Sequence, residues 1–188
     1  MVTVNVVGFA GSLRTGSLNR LLLRSAVSLA PDGMAIDELD ISEIPLFNAD
    51  VDADGPPQSV TSFKESVAAS DGLLIVTPEY NYSIPAVTKN LIDWASRRNS
   101  HPGNVLLNKP VSIMSIVGGT RGRGALACAH LRHALVFPGA IPMSSGDVGV
   151  SGGQSNFDSD GNLVNEDAIT QIEQNLVRFA SWITKLSG

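Results

Sequence analysis

The 188-residue sequence predicts an α/β fold, a three-layer sandwich in which a five-stranded parallel sheet carries helices on both faces. Short apolar runs rich in β-branched residues, each followed by Gly or Pro, indicate strands that are buried on both sides. Between them, apolar residues recur at three- and four-residue intervals, which indicates amphipathic helices. Regular alternation of such strands and helices, with right-handed crossovers, produces an open parallel sheet.

The elements follow one another along the whole chain. Strands are predicted over residues 2–7, 34–39, 72–77, 111–117 and 140–144, with the weaker apolar pattern in the second and the fifth. Helices are predicted over residues 17–30, 58–69, 86–98, 124–136 and 165–186, and a Pro-Asp-Gly sequence ends the first of them. The polar stretches 50–58 and 146–161 are predicted to be mobile loops that border an active site or another subunit.

Composition limits the class of protein. A hydrophobic content of 43% can fill a core, and the length suits one domain over residues 1–188. A net charge of -5 argues against general binding to nucleic acid or to an anionic membrane. Cys128, the lone cysteine, cannot form an internal disulfide. Without a signal sequence or an apolar run of about 18 residues, the chain is expected in the cytoplasm.

Ligands of such a sheet bind at the carboxyl ends of the strands, which directs attention to three loops. The first loop, residues 8–19, combines glycines with Ser12, Arg14, Ser17 and Asn19 just before a helix. Short hydroxyl and amide side chains, a fixed positive charge and a helix N-terminus suit a phosphate group. The loop matches neither a Walker A loop nor Gly-x-Gly-x-x-Gly, so a phosphomonoester is favoured over ATP or a pyrophosphate.

The second and third loops have features that suit a flat ring. Residues 78–85 begin and end with proline and contain both tyrosines of the chain, Tyr80 and Tyr82. Such a stiff loop offers amide groups and planar side chains to a heteroaromatic ring, although the tyrosines can equally pack on helices. In residues 115–124, glycine amides can bind ring carbonyls, and Arg121 and Arg123 can meet an anionic substrate or another subunit.

Together these segments resemble the NADPH-dependent FMN reductase family, and especially its bacterial chromate and quinone reductase branch, which has a flavodoxin-like fold. The resemblance rests on Gly11-Ser12-Leu13-Arg14 with Ser17 and Asn19, on residues 77–85, and on Lys89-Asn90 with Ile92-Asp93-Trp94. The two loop motifs occur in the same order as in the family and are specific in combination.

The resemblance implies a bound FMN, with NAD(P)H as co-substrate. Its phosphate would lie on Ser12, Arg14, Ser17 and Asn19. The ring would lie against Pro78, Glu79, Tyr80 and Asn81, and its other side against Ser115, Gly118 and Gly119. The glycine pair is shifted here relative to the family pattern. A homodimer or homotetramer with the flavin near a subunit interface is also implied.

The implied chemistry is ping-pong: the flavin accepts a hydride from a stacked nicotinamide and passes electrons to an acceptor in the same place. Quinones are the leading acceptors, followed by free flavin, azo compounds and chromate. No general acid or base is assigned; Tyr80, Tyr82 and Arg121 are candidates for orienting the acceptor. Alternatives are a flavodoxin-type electron carrier, which would not oxidise NAD(P)H, and a reductase that releases its FMN.

Three other patterns have weaker interpretations. Residues 122–127 match Gly-x-Gly-x-x-Ala, with Asp147 downstream, and keep a Rossmann NAD site as a rival. Residues 149–153 match Gly-x-Ser-x-Gly, but every histidine precedes Ser151, against the order in α/β-hydrolases. His130 and His133 share a predicted helix but lack further metal ligands.

Overall fold

The computed structural model describes residues 3–119 and 122–187. Its centre is a parallel sheet in the order β2-β1-β3-β4-β5, with β6 also paired to β4. The strands are β1 (Val4–Ala10), β2 (Met34–Glu38), β3 (Gly72–Val76), β4 (Pro110–Ile116), β5 (Ile141–Pro142) and β6 (Val148–Val150). From β1 the chain turns to β2 on one side and then returns to β3 on the other. The loops after β1 and β3 therefore diverge and leave a crevice at the carboxyl edge of the sheet.

Helices cover both faces of this sheet. They are α1 (Leu18–Ser28), α2 (Ala49–Asp54), α3 (Gln58–Ala69), α4 (Ala86–Ala95), α5 (Ala125–Val136) and α6 (Glu166–Ser187). Apolar side chains of α1 and α6 form one core with the sheet, and those of α3, α4 and α5 form the other. The predicted three-layer α/β architecture is confirmed.

The fifth strand position is occupied by two short pieces rather than by one strand. β5 pairs with the start of β4 and β6 pairs with its end. Residues 143–147, which connect β5 to β6, belong to neither strand. Asn175 of α6, which is fully buried, accepts a hydrogen bond from the Ser112 hydroxyl at 2.8 Å and donates one to the Gly146 carbonyl. This side chain supplies polar partners at the interruption, where the strand ladder is broken.

The structure differs from the sequence prediction in two of the segments expected to be loops. Residues 146–161 contain β6 and a 3-10 helix, Gly153–Asn156. Residues 50–58 include most of α2, which has no buried residue and is capped by the Asn48 side chain. The first strand also extends to Ala10, because Gly8 lies within the sheet and pairs with Glu38 and Leu74.

Candidate active site

The crevice between the carboxyl ends of β1, β3 and β4 is a cleft of about 180 Å³. Its wall is formed by Ser12, Arg14, Ser17, Leu18, Asn19, Pro78, Glu79, Tyr80, Ile116, Val117 and Gly118. Eight of the eleven residues predicted from the sequence thus line one cleft. The other three, Asn81, Ser115 and Gly119, lie in the same loops but are not part of this wall.

The loop after β1 presents unused backbone donors. Among the described residues, no hydrogen-bond acceptor is found for the backbone N–H groups of Leu13, Thr15, Gly16 and Leu18. The Ser17 side chain caps α1 by accepting from the Arg20 amide at 3.4 Å, and Arg14 Nη2 donates to the Gly16 carbonyl at 2.7 Å. Free amides at a helix N-terminus beside a guanidinium form a site for an anion.

Asn19 joins this loop to the far side of the cleft. Its Nδ2 donates to the Ile116 carbonyl at 3.0 Å, and its Oδ1 accepts from the Ile116 amide at 3.1 Å. The side chain is buried, with 3% exposed, in the first turn of α1. Asn19 therefore fixes the start of α1 to the end of β4, and at most one of its amide hydrogens remains for a ligand.

The loop after β3 ends in a tight hairpin turn. Tyr80 and Ser83 exchange backbone hydrogen bonds at 2.9 and 3.0 Å, while Asn81 and Tyr82 take φ values of 50° and 61°. Two consecutive left-handed residues are typical of a type I′ turn, and this left-handed conformation is unusual for a tyrosine. The turn leaves Tyr80 52% and Tyr82 71% exposed beside the cleft.

Side chains of this loop anchor it to α5. Glu79 Oε2 accepts hydrogen bonds from the amides of Leu126 and Ala127, both at 3.1 Å. His130 Nδ1 and the Ser83 hydroxyl lie 2.9 Å apart and share a further hydrogen bond. The Glu79 carboxylate thus caps α5, and only its backbone, whose amide has no acceptor in the described chain, is left to face a ligand.

The loop after β4 is held from behind by the chain that follows β6. Gly153 donates to the Val117 carbonyl at 3.0 Å, and Gly152 donates to the Gly119 carbonyl at 3.1 Å. Chain neighbours aside, no atom of the described residues lies within 4 Å of the position that a Cβ of Gly118 or Gly119 would take, so this loop is open on that side. Arg121, a candidate for orienting the acceptor, lies outside the described residues.

Ser115 is placed differently from the other predicted residues. Its side chain is fully buried, its hydroxyl has no hydrogen-bond partner within the described chain, and it faces Gly124 at the start of α5. A Cβ on Gly124 would lie 2.0 Å from the Ser115 hydroxyl, so glycine is required there. The Ser115 side chain contributes to the packing behind the cleft rather than to its surface.

These features fit FMN. The amides of loop 11–18, the Ser12 and Ser17 hydroxyls and Arg14 suit a dianionic phosphate at one end of the cleft. At the other end, the amides of residues 79 and 118 have no acceptor among residues 3–119 and 122–187 and are available to ring carbonyl and nitrogen atoms. Pro78 and the Tyr80 side chain supply flat surfaces beside them.

The Rossmann interpretation loses support in the structure. A Rossmann site would place a pyrophosphate at the N-terminus of α5, but the Glu79 carboxylate takes the amides there, and Asp147 is paired with Arg132 at 2.6 Å. Among the residues that the structure describes, no group of His, Cys, Asp and Glu can hold a metal ion. No helix in the described ranges is both long enough and apolar enough to cross a membrane.

A doubly wound parallel sheet whose first loop suits an anion, with amide-bearing loops at its switch point, has the architecture of a flavodoxin-like protein. The model of the NADPH-dependent FMN reductase family matches residues 4–155. The chain belongs to this family, and it is an oxidoreductase that uses FMN and NAD(P)H.

Individual relatives are similar to this chain over nearly its whole length. An NAD(P)H-dependent FMN reductase of Pseudomonas aeruginosa is 43% identical over 98% of both chains. A quinone reductase of Escherichia coli is 37% identical over 97% of both. Among solved structures, FerB, a flavoenzyme NAD(P)H:(acceptor) oxidoreductase from Paracoccus denitrificans, superposes with a TM-score of 0.86 at 32% identity and covers 97% of this chain and 98% of its own.

Proposed function

We propose that the protein oxidises NAD(P)H through bound FMN and reduces quinones by a ping-pong reaction. The observation that carries this proposal is the single cleft that joins the phosphate-binding loop after β1 to the flat, amide-bearing loops after β3 and β4. Relatives named as quinone reductases support the choice of acceptor, among them a 2-hydroxy-1,4-benzoquinone reductase from Burkholderia at 36% identity. Residues 1–188 act as one FMN-binding domain in this account.

All the predicted residues except Ser115, whose side chain packs behind the cleft, have a part in holding the cofactor. Ser12, Ser17 and Arg14, with the free amides of the first loop, would hold the phosphate, and Asn19 would keep that loop in place. The ring would rest on Pro78, Tyr80 and the amides of residues 79, 81, 118 and 119. FMN, when bound, supplies the two-electron chemistry that no side chain of the protein offers.

The acceptor is bound by exposed flat and apolar side chains at the rim of the cleft. Tyr80 and Tyr82 project from the type I′ turn, and Leu126, 48% exposed, lies on the neighbouring start of α5. These side chains would orient a flat molecule by contact with its faces and edges. Such a rim accepts a range of planar oxidants, including azo compounds and free flavin.

Initial rates test this proposal directly. The FMN-loaded enzyme is assayed with NADPH and 1,4-benzoquinone at several concentrations of each, in the absence of oxygen. Ping-pong transfer predicts parallel lines in a double-reciprocal plot. An enzyme whose FMN is reduced by NADPH but is not reoxidised by quinone would contradict the proposed acceptor, and chromate or an azo dye would then be tested in its place.

We also propose that the protein is a homodimer or homotetramer of the cytoplasm. Large exposed apolar side chains support association, in particular Phe137, 87% exposed, and Val136, 70% exposed, at the end of α5. The buried, reduced Cys128 suits a reducing compartment. Light scattering coupled to gel filtration measures the assembly, and a monomeric mass at micromolar concentration would contradict it.

A further inference from the structure

Two threonine hydroxyls lie directly behind the wall of the cleft between the ends of β1, β3 and β4. Thr77, which follows β3, and Thr88, in the first turn of α4, are both fully buried, and their hydroxyl oxygens are 3.1 Å apart. Neither residue belongs to the wall itself. A hydroxyl is costly to bury unless it is hydrogen-bonded, so the two side chains stabilise each other's position.

This pair of hydroxyls fixes a carbonyl of the loop after β3. The Thr77 hydroxyl donates to the Pro78 carbonyl at 3.3 Å. Since a hydroxyl has a single hydrogen, Thr88 is then the donor to Thr77. The Thr77 backbone is held as well, because its amide donates to the Met114 carbonyl of β4 at 2.9 Å. The Pro78 carbonyl is therefore directed to the buried side of the loop by a donor whose own position is fixed.

The direction of this carbonyl determines the direction of the next amide. In a planar trans peptide, the carbonyl and the following N–H point in opposite directions. Because the Pro78 carbonyl is turned inwards to Thr77, the Glu79 N–H is turned outwards, and both Pro78 and Glu79 line the cleft. This N–H has no acceptor among residues 3–119 and 122–187. The two threonines thus present a free backbone donor to whatever occupies the cleft.

The loop after β1 covers the two hydroxyls. The Gly11 amide donates to the Val76 carbonyl at 2.8 Å. A Cβ on Gly11 would lie 1.9 Å from the Thr88 hydroxyl oxygen and 3.3 Å from that of Thr77, so a larger residue would displace the pair. The hydroxyls therefore connect the phosphate-binding loop to the loop that carries the Glu79 amide, in a place that excludes water and strengthens their hydrogen bonds.

We propose that Thr77 and Thr88 are positioning residues for FMN: together they hold the peptide between residues 78 and 79 so that the Glu79 N–H donates to the flavin ring. The inference rests on the proposed function, because it requires the ring to lie against residues 78–81. It assigns neither threonine a contact with the flavin or a step in the redox chemistry.

The Kd for FMN, measured by fluorescence titration of the apoprotein, tests the role of the hydroxyls. Thr77→Val replaces the hydroxyl by a methyl group and should raise this Kd about five-fold or more, because a hydrogen bond to the ring is lost. Thr88→Val removes only the support of Thr77 and should raise it less, whereas Thr77→Ser keeps the hydroxyl and should bind FMN almost as wild type does. Thr61→Val is the matched control, since its hydroxyl also donates to a proline carbonyl, that of Pro57 at 3.5 Å, but on α3 and outside the cleft wall. Its Kd should be unchanged.

The Glu79 amide provides a second readout, which does not depend on a variant. In protein whose glutamate residues carry an isotope label at the backbone nitrogen, the Glu79 amide signal in the NMR spectrum should move downfield when FMN is added, because the N–H gains an acceptor. This shift should be smaller in Thr77→Val. A role of Thr77 in packing alone would lower the stability of the variant without changing the shift.

Several results would overturn the inference. A Thr77→Val protein that is less stable in urea but binds FMN as wild type does would show that the hydroxyl serves packing only. If Thr77→Val does not fold, Thr88→Val is compared with Thr88→Ser, and equal Kd values for FMN would refute the role of the pair. A Glu79 signal that stays in place when wild type binds FMN would refute the contact with the ring.

These results leave the proposed function intact, because FMN bound without this contact can still be reduced by NADPH and reoxidised by quinone. A wild-type protein that binds no FMN would refute both the inference and the proposed function.

Discussion

Replacement of Asn19 by alanine removes a bridge between two of the three loops that form the site. The wild-type side chain makes two hydrogen bonds, at 3.0 and 3.1 Å, to the carbonyl and amide of Ile116, a residue that is 2% exposed. Each bond contributes about 1 kcal/mol net, and an unsatisfied buried group costs about 1–3 kcal/mol. Because water can enter from the adjoining cleft, we expect the free energy of unfolding to fall by about 2–3 kcal/mol.

Urea denaturation of the apoprotein measures this effect without any contribution from FMN. Ser25→Ala is the matched control: Ser25 lies on the same helix, is similarly buried and bonds only to the Leu21 carbonyl of its own helix, so its loss should cost less than about 1 kcal/mol. An Asn19→Ala apoprotein whose stability matches that of Ser25→Ala would refute the bridging role.

The bridge also predicts an effect on the cofactor. With α1 no longer fixed to the end of β4, the phosphate loop and the loop around Gly118 lose their common support, and the Kd for FMN should rise. Asn19→Asp keeps one acceptor but places an oxygen opposite the Ile116 carbonyl and adds a negative charge near the phosphate site. Asn19→Asp should therefore reduce the binding free energy of FMN by more than it reduces the free energy of unfolding of the apoprotein.

Three further predictions concern single side chains. Glu79→Ala should lower the free energy of unfolding by about 1–2 kcal/mol, because the carboxylate that caps α5 is lost. Glu79→Gln keeps an acceptor oxygen and should lower it by less than half as much, and equal destabilisation of the two variants in thermal unfolding would contradict the capping role. Arg14→Ala should raise the Kd for FMN by about ten-fold or more in a fluorescence titration, with Arg14→Lys intermediate, and an unchanged Kd would exclude Arg14 from the phosphate site. Burial, and then the Asp147 carboxylate, raises the pKa of Cys128 to about 12. The native thiol should therefore react with iodoacetamide at pH 8 about a thousand-fold more slowly than the thiol of the unfolded chain, and its rate should increase as the pH rises. Rapid labelling of the native protein would contradict this prediction.

The sequence predicted the layers of this fold because its central strands are short, continuous and largely apolar runs. β3 and β4 are buried along their full length, and such runs are unambiguous when helical patterns flank them. β6 escaped prediction because Val148, Gly149 and Val150 lie in a stretch rich in Gly, Ser and Asn, and only the register with β4 makes them a strand. α2 was missed because it buries no residue and so has no apolar period.

The site was predictable in its location and less so in its details. Strand order and loop composition brought Ser12, Arg14 and Tyr80 to one cleft, as expected. The roles of Asn19 and Glu79 depend on partners 97 and 47 or 48 residues away, which no local pattern contains. The free backbone amides of the first loop have almost no sequence signature, because any residue except proline can supply an amide N–H.

One titration tests the central claim that this cleft binds FMN as the entry point for hydride from NAD(P)H. Apoprotein is titrated with FMN while flavin fluorescence and absorbance are recorded, and NADPH is then added without oxygen. The account predicts saturable binding of one FMN per chain, followed by bleaching of the oxidised flavin band. Binding without bleaching would indicate an electron carrier, and no binding of FMN would contradict the account of the site.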